Sequence, residues 1–110
     1  MDVSIKKYQQ YLAERYSSWG TEQAMFMKIV EEVGEVAEVL NKKNGVKYLE
    51  EGDELAAQLG AELADVIHYA VAIAALNGID LEQAMLKKDE IASKKYGHDT
   101  NFKLFSEKNN

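Results

Sequence analysis

Apolar residues recur every three to four positions along most of the chain, which is the spacing typical of amphipathic α-helices. Proline is absent and seven glycines punctuate the sequence, a pattern that favours helices joined by short glycine-marked turns. Four helices are predicted, over about residues 3–16, 21–43, 50–77 and 80–96. The expected fold class is therefore all-α, with a subunit resembling a four-helix bundle.

Capping residues set several of the predicted boundaries. Thr21 is a suitable N-cap for the second helix, and Asn44-Gly45 ends it. Asp80 can cap the fourth helix, with Gln83 as the other half of a capping box. The first helix is expected to bury one face, formed by Ile5, Tyr8, Leu12 and Tyr16.

A single domain is expected over residues 1–110, with a helical core of about residues 3–97. The segment 98–110 is polar apart from Phe102, Leu104 and Phe105. We expect this tail to be loosely docked.

The second and third helices differ in their hydrophobic pattern. In the second, one narrow apolar stripe is predicted to pack on the third helix, with Glu32 at its boundary; the stripe comprises Ile29, Val33, Val36 and Leu40. The third reads LADVIHYAVAIAAL over 63–76 and is apolar on nearly every face. Such a helix must be covered all round, so a second subunit is expected to complete its burial.

Composition and charge narrow the range of possible binding partners and locations. The net charge of -6 disfavours a nucleic acid polymer as a partner, because an acidic surface repels phosphate backbones. There are no cysteines, which excludes disulfides and thiolate metal sites. The N-terminus lacks the apolar core of a secretion signal, and the apolar stretch 63–76 is too short to span a bilayer. A cytoplasmic location without membrane contact is expected.

Asp65 is the residue that first indicates a functional site. A carboxylate in so apolar a helix should be desolvated, which requires a proton or a cation to neutralise it. Glu62 lies one turn earlier on the same face, and Glu32 and Glu35 form a second pair at the same spacing. Packing the two helices together would bring four carboxylates around one point, a site suited to Mg²⁺ or Mn²⁺. An ordinary solvated acidic face is the alternative for either pair taken alone.

The residues Glu31-Glu32-x-x-Glu35 and Glu62-x-x-Asp65 are similar to the EExxE and ExxD motifs of the MazG-like all-α nucleoside triphosphate pyrophosphohydrolases. The resemblance extends over about residues 21–97 and includes KIVEEVGEVAEVL at 28–40, ELADVIHYAVAIAALNGIDLEQA at 62–84 and KKDEIASKKYG at 87–97.

This resemblance implies a homodimer or homotetramer of helical subunits that binds Mg²⁺ through Glu32, Glu35, Glu62 and Asp65. It also implies cleavage of a nucleoside triphosphate into nucleoside monophosphate and pyrophosphate, a reaction of nucleotide-pool housecleaning. Phosphoryl transfer needs positioning and charge neutralisation more than a covalent nucleophile. Glu31 is a candidate catalytic base or second-metal ligand.

Several further residues are expected to contact the substrate. Lys88, Lys95 and Tyr96 match the family's phosphate-contacting helix, and Tyr69 matches a family tyrosine. Trp19 is a candidate for stacking on the base, although an aromatic residue at a helix junction is more often part of a core. Where many relatives have asparagine this chain has Ala92, which leaves the preference for sugar and base open.

Two other functions remain open at the level of sequence. A di-iron bundle uses paired acid-x-x-His motifs, and Asp65-x-x-His68 has that form, but the only other histidine is His98. A non-catalytic dimerisation or nucleotide-binding module would explain the apolar third helix, but it leaves the paired acids unexplained.

Overall fold

The computed structural model describes residues 1–17, 21–45 and 54–109, and within these ranges it contains helices and turns but no strand. The described part of the chain forms five α-helices, one more than the pattern predicts. In chain order they are α1 (Ile5–Arg15), α2 (Glu22–Lys43), α3 (Leu55–Leu76), α4 (Leu81–Lys95) and α5 (Phe102–Lys108).

The predicted caps account for most of the helix ends. The Thr21 side chain accepts a hydrogen bond from the Ala24 amide at 3.1 Å, and Asp80 accepts one from the Gln83 amide at 3.1 Å. A glycine with positive φ follows α2, α3 and α4 in turn: Gly45, Gly78 and Gly97.

The start of the third helix differs from the prediction. The segment 46–53 lies outside the described residues, and Glu54 is the non-helical N-cap of α3. The helix therefore begins at Leu55 rather than near Glu50. No side chain forms a capping hydrogen bond at the N-terminus of α3. The sequence pattern therefore gave little indication of where this helix begins.

Part of the tail is helical, since residues 102–108 form α5, although none of these residues is buried; the loose docking of the tail stays a prediction. Asn101 caps this helix by accepting from the Leu104 amide at 2.9 Å. The Phe102 amide donates to the Asp89 carboxylate of α4 at 2.6 Å. A seven-residue helix is too short for periodicity to identify, and a contact with another element stabilises it.

The helices pack in a chain of pairs. α2 lies along α3, α1 packs on α3, α4 packs on α1, and α5 packs on α4. α2 and α3 are antiparallel, as shown by the hydrogen bond of 2.7 Å from Asn77, after the end of α3, to Glu22 at the start of α2. The core contains Leu12, Tyr16, Met25, Val71 and Ala72.

The α1 face predicted from the sequence is the one that packs inward. Leu12 is fully buried and Tyr16 nearly so, while Ile5 and Tyr8 pack against the same core. α1 is a simple amphipathic helix, because its one apolar face packs against a single neighbouring surface.

The rotation of α2 differs from the prediction. The predicted stripe included Val33 and Leu40, whose exposed fractions are 52% and 39%. The buried positions are instead Met25, Glu32 and Val39, which lie seven residues apart on one face. Glu32 therefore lies within the contact with α3 rather than at its boundary.

One face of α3 is uncovered in the subunit. Leu63 and Ile67 are both exposed. By length and composition alone α3 is apolar enough to cross a membrane, with a mean hydropathy of 1.5 over an 18-residue window of which 17% is buried. Its packing against α1 and α2 is equally typical of a core helix. On its own, the described chain leaves part of the apolar surface of α3 exposed.

Candidate metal centre

Two pairs of acids meet where α2 packs against α3. Carboxylate oxygens of Glu32, Glu62 and Asp65 lie within 4.8 Å of one another. Those of Glu31, Glu32 and Glu35 form a second group with the same spacing, and Glu32 is common to both. The structure thus brings the four predicted ligands together around Glu32, in two overlapping groups of three acids.

Glu32 is the most buried acid of the group, with 8% of its surface exposed. The Oε2 atoms of Glu32 and Glu62 are both buried, and neither has a hydrogen-bond partner among the described residues. A buried polar atom without a partner is unfavourable, and a buried negative charge even more so. A cation between these two oxygens would relieve both costs.

The sequence argument placed the buried charge on the wrong residue. Asp65 was expected to be desolvated by its apolar helix, but its side chain is exposed in the subunit. The reason is that its neighbours Leu63 and Ile67 are themselves uncovered. The desolvated carboxylate is Glu32, which the rotation of α2 turns inward.

The cluster holds a proton when no cation is bound. A proton on Glu62 would allow hydrogen bonds with Glu32 and then with Glu35, and this bonding, together with desolvation and the neighbouring negative charges, raises the pKa of Glu62 from 4.5 to about 8. A carboxyl group that is protonated at neutral pH beside other acids indicates where positive charge is needed. A divalent cation would displace this proton.

Glu31 is engaged differently from the other acids. Its carboxylate lies 3.4 Å from the Lys28 ammonium, and both side chains are about half exposed. The Glu31 charge, followed by the hydrogen bond with it, raises the pKa of Lys28. Glu31 thus combines proximity to the acid cluster with an ion pair, and its role as catalytic base stays a prediction.

The predicted substrate contacts are divided between two regions of the subunit. Tyr69 follows Asp65 by one turn of α3 and packs against the core. Lys88, Lys95 and Tyr96 belong to α4 and the residue after it, and α4 packs on α1 and α5 instead of lying along α2. The main contacts of α4 thus lie away from the two helices that carry the acids. Trp19 lies outside the described residues.

His68 is bound by two tyrosines that the sequence analysis did not connect with it. The Tyr8 hydroxyl lies 2.7 Å from Nδ1 and the Tyr16 hydroxyl 2.9 Å from Nε2. Both ring nitrogens are therefore occupied, which argues against the di-iron alternative, because a histidine ligand needs one nitrogen free for the metal. In the sequence, the only indication was that Tyr8 and Tyr16 lie on the same face of the first helix. That spacing could not identify His68 as their hydrogen-bond partner.

One protein family matches most of the chain. The model of the MazG nucleotide pyrophosphohydrolase domain matches residues 20–96, a range that includes both acid pairs and α4. No curated protein and no solved structure gives a significant match. The match covers most of the chain, and the helical fold and the acidic clusters are consistent with it. The chain therefore belongs to the MazG nucleotide pyrophosphohydrolase domain family.

Proposed function

We propose that this protein is a Mg²⁺-dependent pyrophosphohydrolase that cleaves a ribo- or deoxyribonucleoside triphosphate into nucleoside monophosphate and pyrophosphate, in nucleotide-pool housecleaning. The observation that carries the proposal is the pair of buried, unpartnered oxygens on Glu32 and Glu62 at the α2–α3 contact. Family membership supports the nucleotide class of the substrate.

The four carboxylates would hold the cation, with Mn²⁺ as a substitute for Mg²⁺; these residues are Glu32, Glu35, Glu62 and Asp65. When bound, the cation supplies charge neutralisation of the phosphate oxygens and lowers the pKa of a nearby water. Glu31, with its oxygen beside Glu32 and Glu35, is the proposed acceptor of the water's proton. The water oxygen bonds to phosphorus as the bridging P–O bond between the α and β phosphates breaks.

A second copy of the chain completes this proposal. The exposed apolar residues of α2 and α3 need a cover, and the main ones are Phe26, Val30, Val33, Leu63 and Ile67. Because the main contacts of α4 are with α1 and α5 rather than with the helices that carry the acids, we assign Lys88, Lys95 and Tyr96 of one copy to the site of another. A homodimer or homotetramer satisfies both requirements. A bilayer would place the acids of α3 against hydrocarbon, which is costly.

The exposed apolar face of α2 and α3 leads to a direct prediction about the oligomeric state. The wild-type protein is expected to scatter light as a multiple of its 12.4 kDa chain mass. Ile67→Glu, which puts a charge on an α3 position that is 54% exposed in the subunit, is expected to shift it towards monomer at micromolar concentration, because a charge at the centre of an apolar interface is desolvated without a partner. Met85→Glu, at an exposed position of α4, is the matched control. A wild-type monomer would contradict the proposal.

The reaction itself is tested by phosphate release from a panel of nucleoside triphosphates, with and without added inorganic pyrophosphatase and with and without Mg²⁺. Cleavage between the α and β phosphates gives free phosphate only when pyrophosphatase is added. Phosphate without that enzyme would indicate loss of the terminal phosphate instead. Nucleotide binding without any product would favour the non-catalytic module, and tight iron binding without hydrolysis would favour the di-iron bundle.

A further inference from the structure

The Tyr8–His68–Tyr16 network links α1 to α3 by polar contacts. Tyr8 lies on α1 and Tyr16 is the C-cap of that helix, two turns later, with the fully buried Leu12 between them. Their rings meet the imidazole edge-on, each with a centroid distance of 5.9 Å. The histidine is thus held at both ring nitrogens by one helix and its C-cap residue.

A neutral imidazole satisfies the network. A neutral ring has one N–H donor and one acceptor nitrogen, so one tyrosine hydroxyl accepts a hydrogen bond and the other donates one. Burial, followed by the Arg15 charge, lowers the pKa of His68, and the Asp65 charge opposes this shift. The ring is neutral at pH 7 and satisfies both hydroxyls.

Apolar contacts alone give the rotation of α3 no directional bond to α1. The α3 side chains at this core are Val71 and Ala72, which are buried, and Tyr69, Ile73 and Ala75, which pack against it. Apolar burial is non-directional, and cores lose uniqueness of packing before they lose stability. A satisfied, partly buried polar group adds directionality to this contact.

That rotation determines where the acids point. His68 lies three residues after Asp65 and six after Glu62, and its neighbour Tyr69 packs edge-on against it at 5.0 Å. We propose that His68 is a positioning residue: the two α1 tyrosines fix the rotation of α3 through it, and thereby direct Glu62 and Asp65 towards the acids of α2. α1, which contributes none of the proposed ligands, becomes part of the site.

The chain has no cysteine, so an introduced pair can measure this rotation directly. The test background is Glu32→Cys with Glu62→Cys, two positions whose side chains meet, treated with the thiol cross-linker dibromobimane. His68→Phe keeps a ring but removes both nitrogens, and it is expected to slow bridging by about tenfold, the equilibrium shift expected from losing two hydrogen bonds. His68→Gln supplies one donor and one acceptor and is expected to restore bridging.

The second measurement uses the otherwise wild-type protein. Mn²⁺ affinity, by calorimetry at a temperature where circular dichroism shows each variant folded, is expected to fall about tenfold in His68→Phe and in Tyr8→Phe with Tyr16→Phe, as for other losses of an outer-shell partner. Tyr11→Phe, a change in an exposed tyrosine of the same helix, is the control. The tyrosine pair also covers the case in which His68→Phe does not fold.

Unchanged bridging and unchanged affinity in folded His68→Phe, with only a lower melting temperature, would overturn the inference. Bridging in His68→Gln as slow as in His68→Phe would overturn it too. The affinity readout rests on the proposed function, but cross-linking measures geometry alone. A wild-type protein that neither binds metal nor hydrolyses nucleotide would thus refute the proposed function. The positioning role of His68 would then be decided by the cross-linking rates alone.

Discussion

Glu35→Gln and Asp65→Asn are each expected to reduce Mg²⁺-dependent hydrolysis by more than about a hundredfold while the oligomer stays folded. Each change removes one negative charge and one anionic ligand from the group around Glu32. Loss of an outer-shell partner costs a metal site about 10–100-fold, so loss of a ligand should cost more. Initial rates with saturating nucleotide and a Mg²⁺ titration measure the effect.

The stability of these variants is expected to move in the opposite direction from activity. Removing one carboxylate from a cluster of like charges relieves repulsion in the metal-free protein, so urea unfolding without metal should show unchanged or higher stability. Glu14→Gln, the same substitution at an exposed position of α1, is the matched control and should keep its full rate. Near-normal turnover in either site variant would show that the acids are not the metal ligands.

The affinity for Mg²⁺ is expected to rise with pH, about tenfold per unit between pH 6 and 7.5, and to level off above about pH 8. The raised pKa of Glu62, about 8, means that the metal-free cluster carries a proton that the cation must displace. Calorimetry in two buffers of different ionisation enthalpy should detect the release of close to one proton per site at pH 7. The proton belongs to the coupled carboxyls as a group.

The stability of the metal-free protein should follow the opposite course. Because the folded-state pKa of Glu62 lies above its ordinary value of 4.5, the folded state binds more protons than the unfolded state between these two values. Its stabilising contribution is therefore complete below about pH 4.5 and is lost as pH rises through about 8. Glu62→Gln, which cannot titrate, should remove both pH dependences, whereas a flat wild-type Mg²⁺ affinity from pH 6 to 8 would contradict the assigned proton.

Features that depend on neighbouring residues in sequence were accessible without the structure. The caps Thr21 and Asp80 and the glycines after α2, α3 and α4 act through local backbone hydrogen bonds and φ angles. The spacing of Glu32 with Glu35 and of Glu62 with Asp65 also follows from helical geometry alone. The family motif was recognisable for the same reason.

Features that depend on which surface covers which were not accessible in this way. α2 has apolar residues over a wide arc, so its periodicity identified the most apolar direction, whereas packing on α3 selected another and buried Glu32. The face left exposed is the one proposed for a second copy. Amphipathicity reports that a face will be covered, but it carries no information on the partner.

The sequence by itself determined the four long helices, most of their ends and the pairing of acids within each helix, because these are consequences of local geometry. Only the tertiary structure decided the rotation of α2, the bridging of His68 by Tyr8 and Tyr16, the docking of α5 and the separation of α4 from the acids. Each of these depends on contacts between residues far apart in the chain, whose relative placement is set by the packing of whole helices.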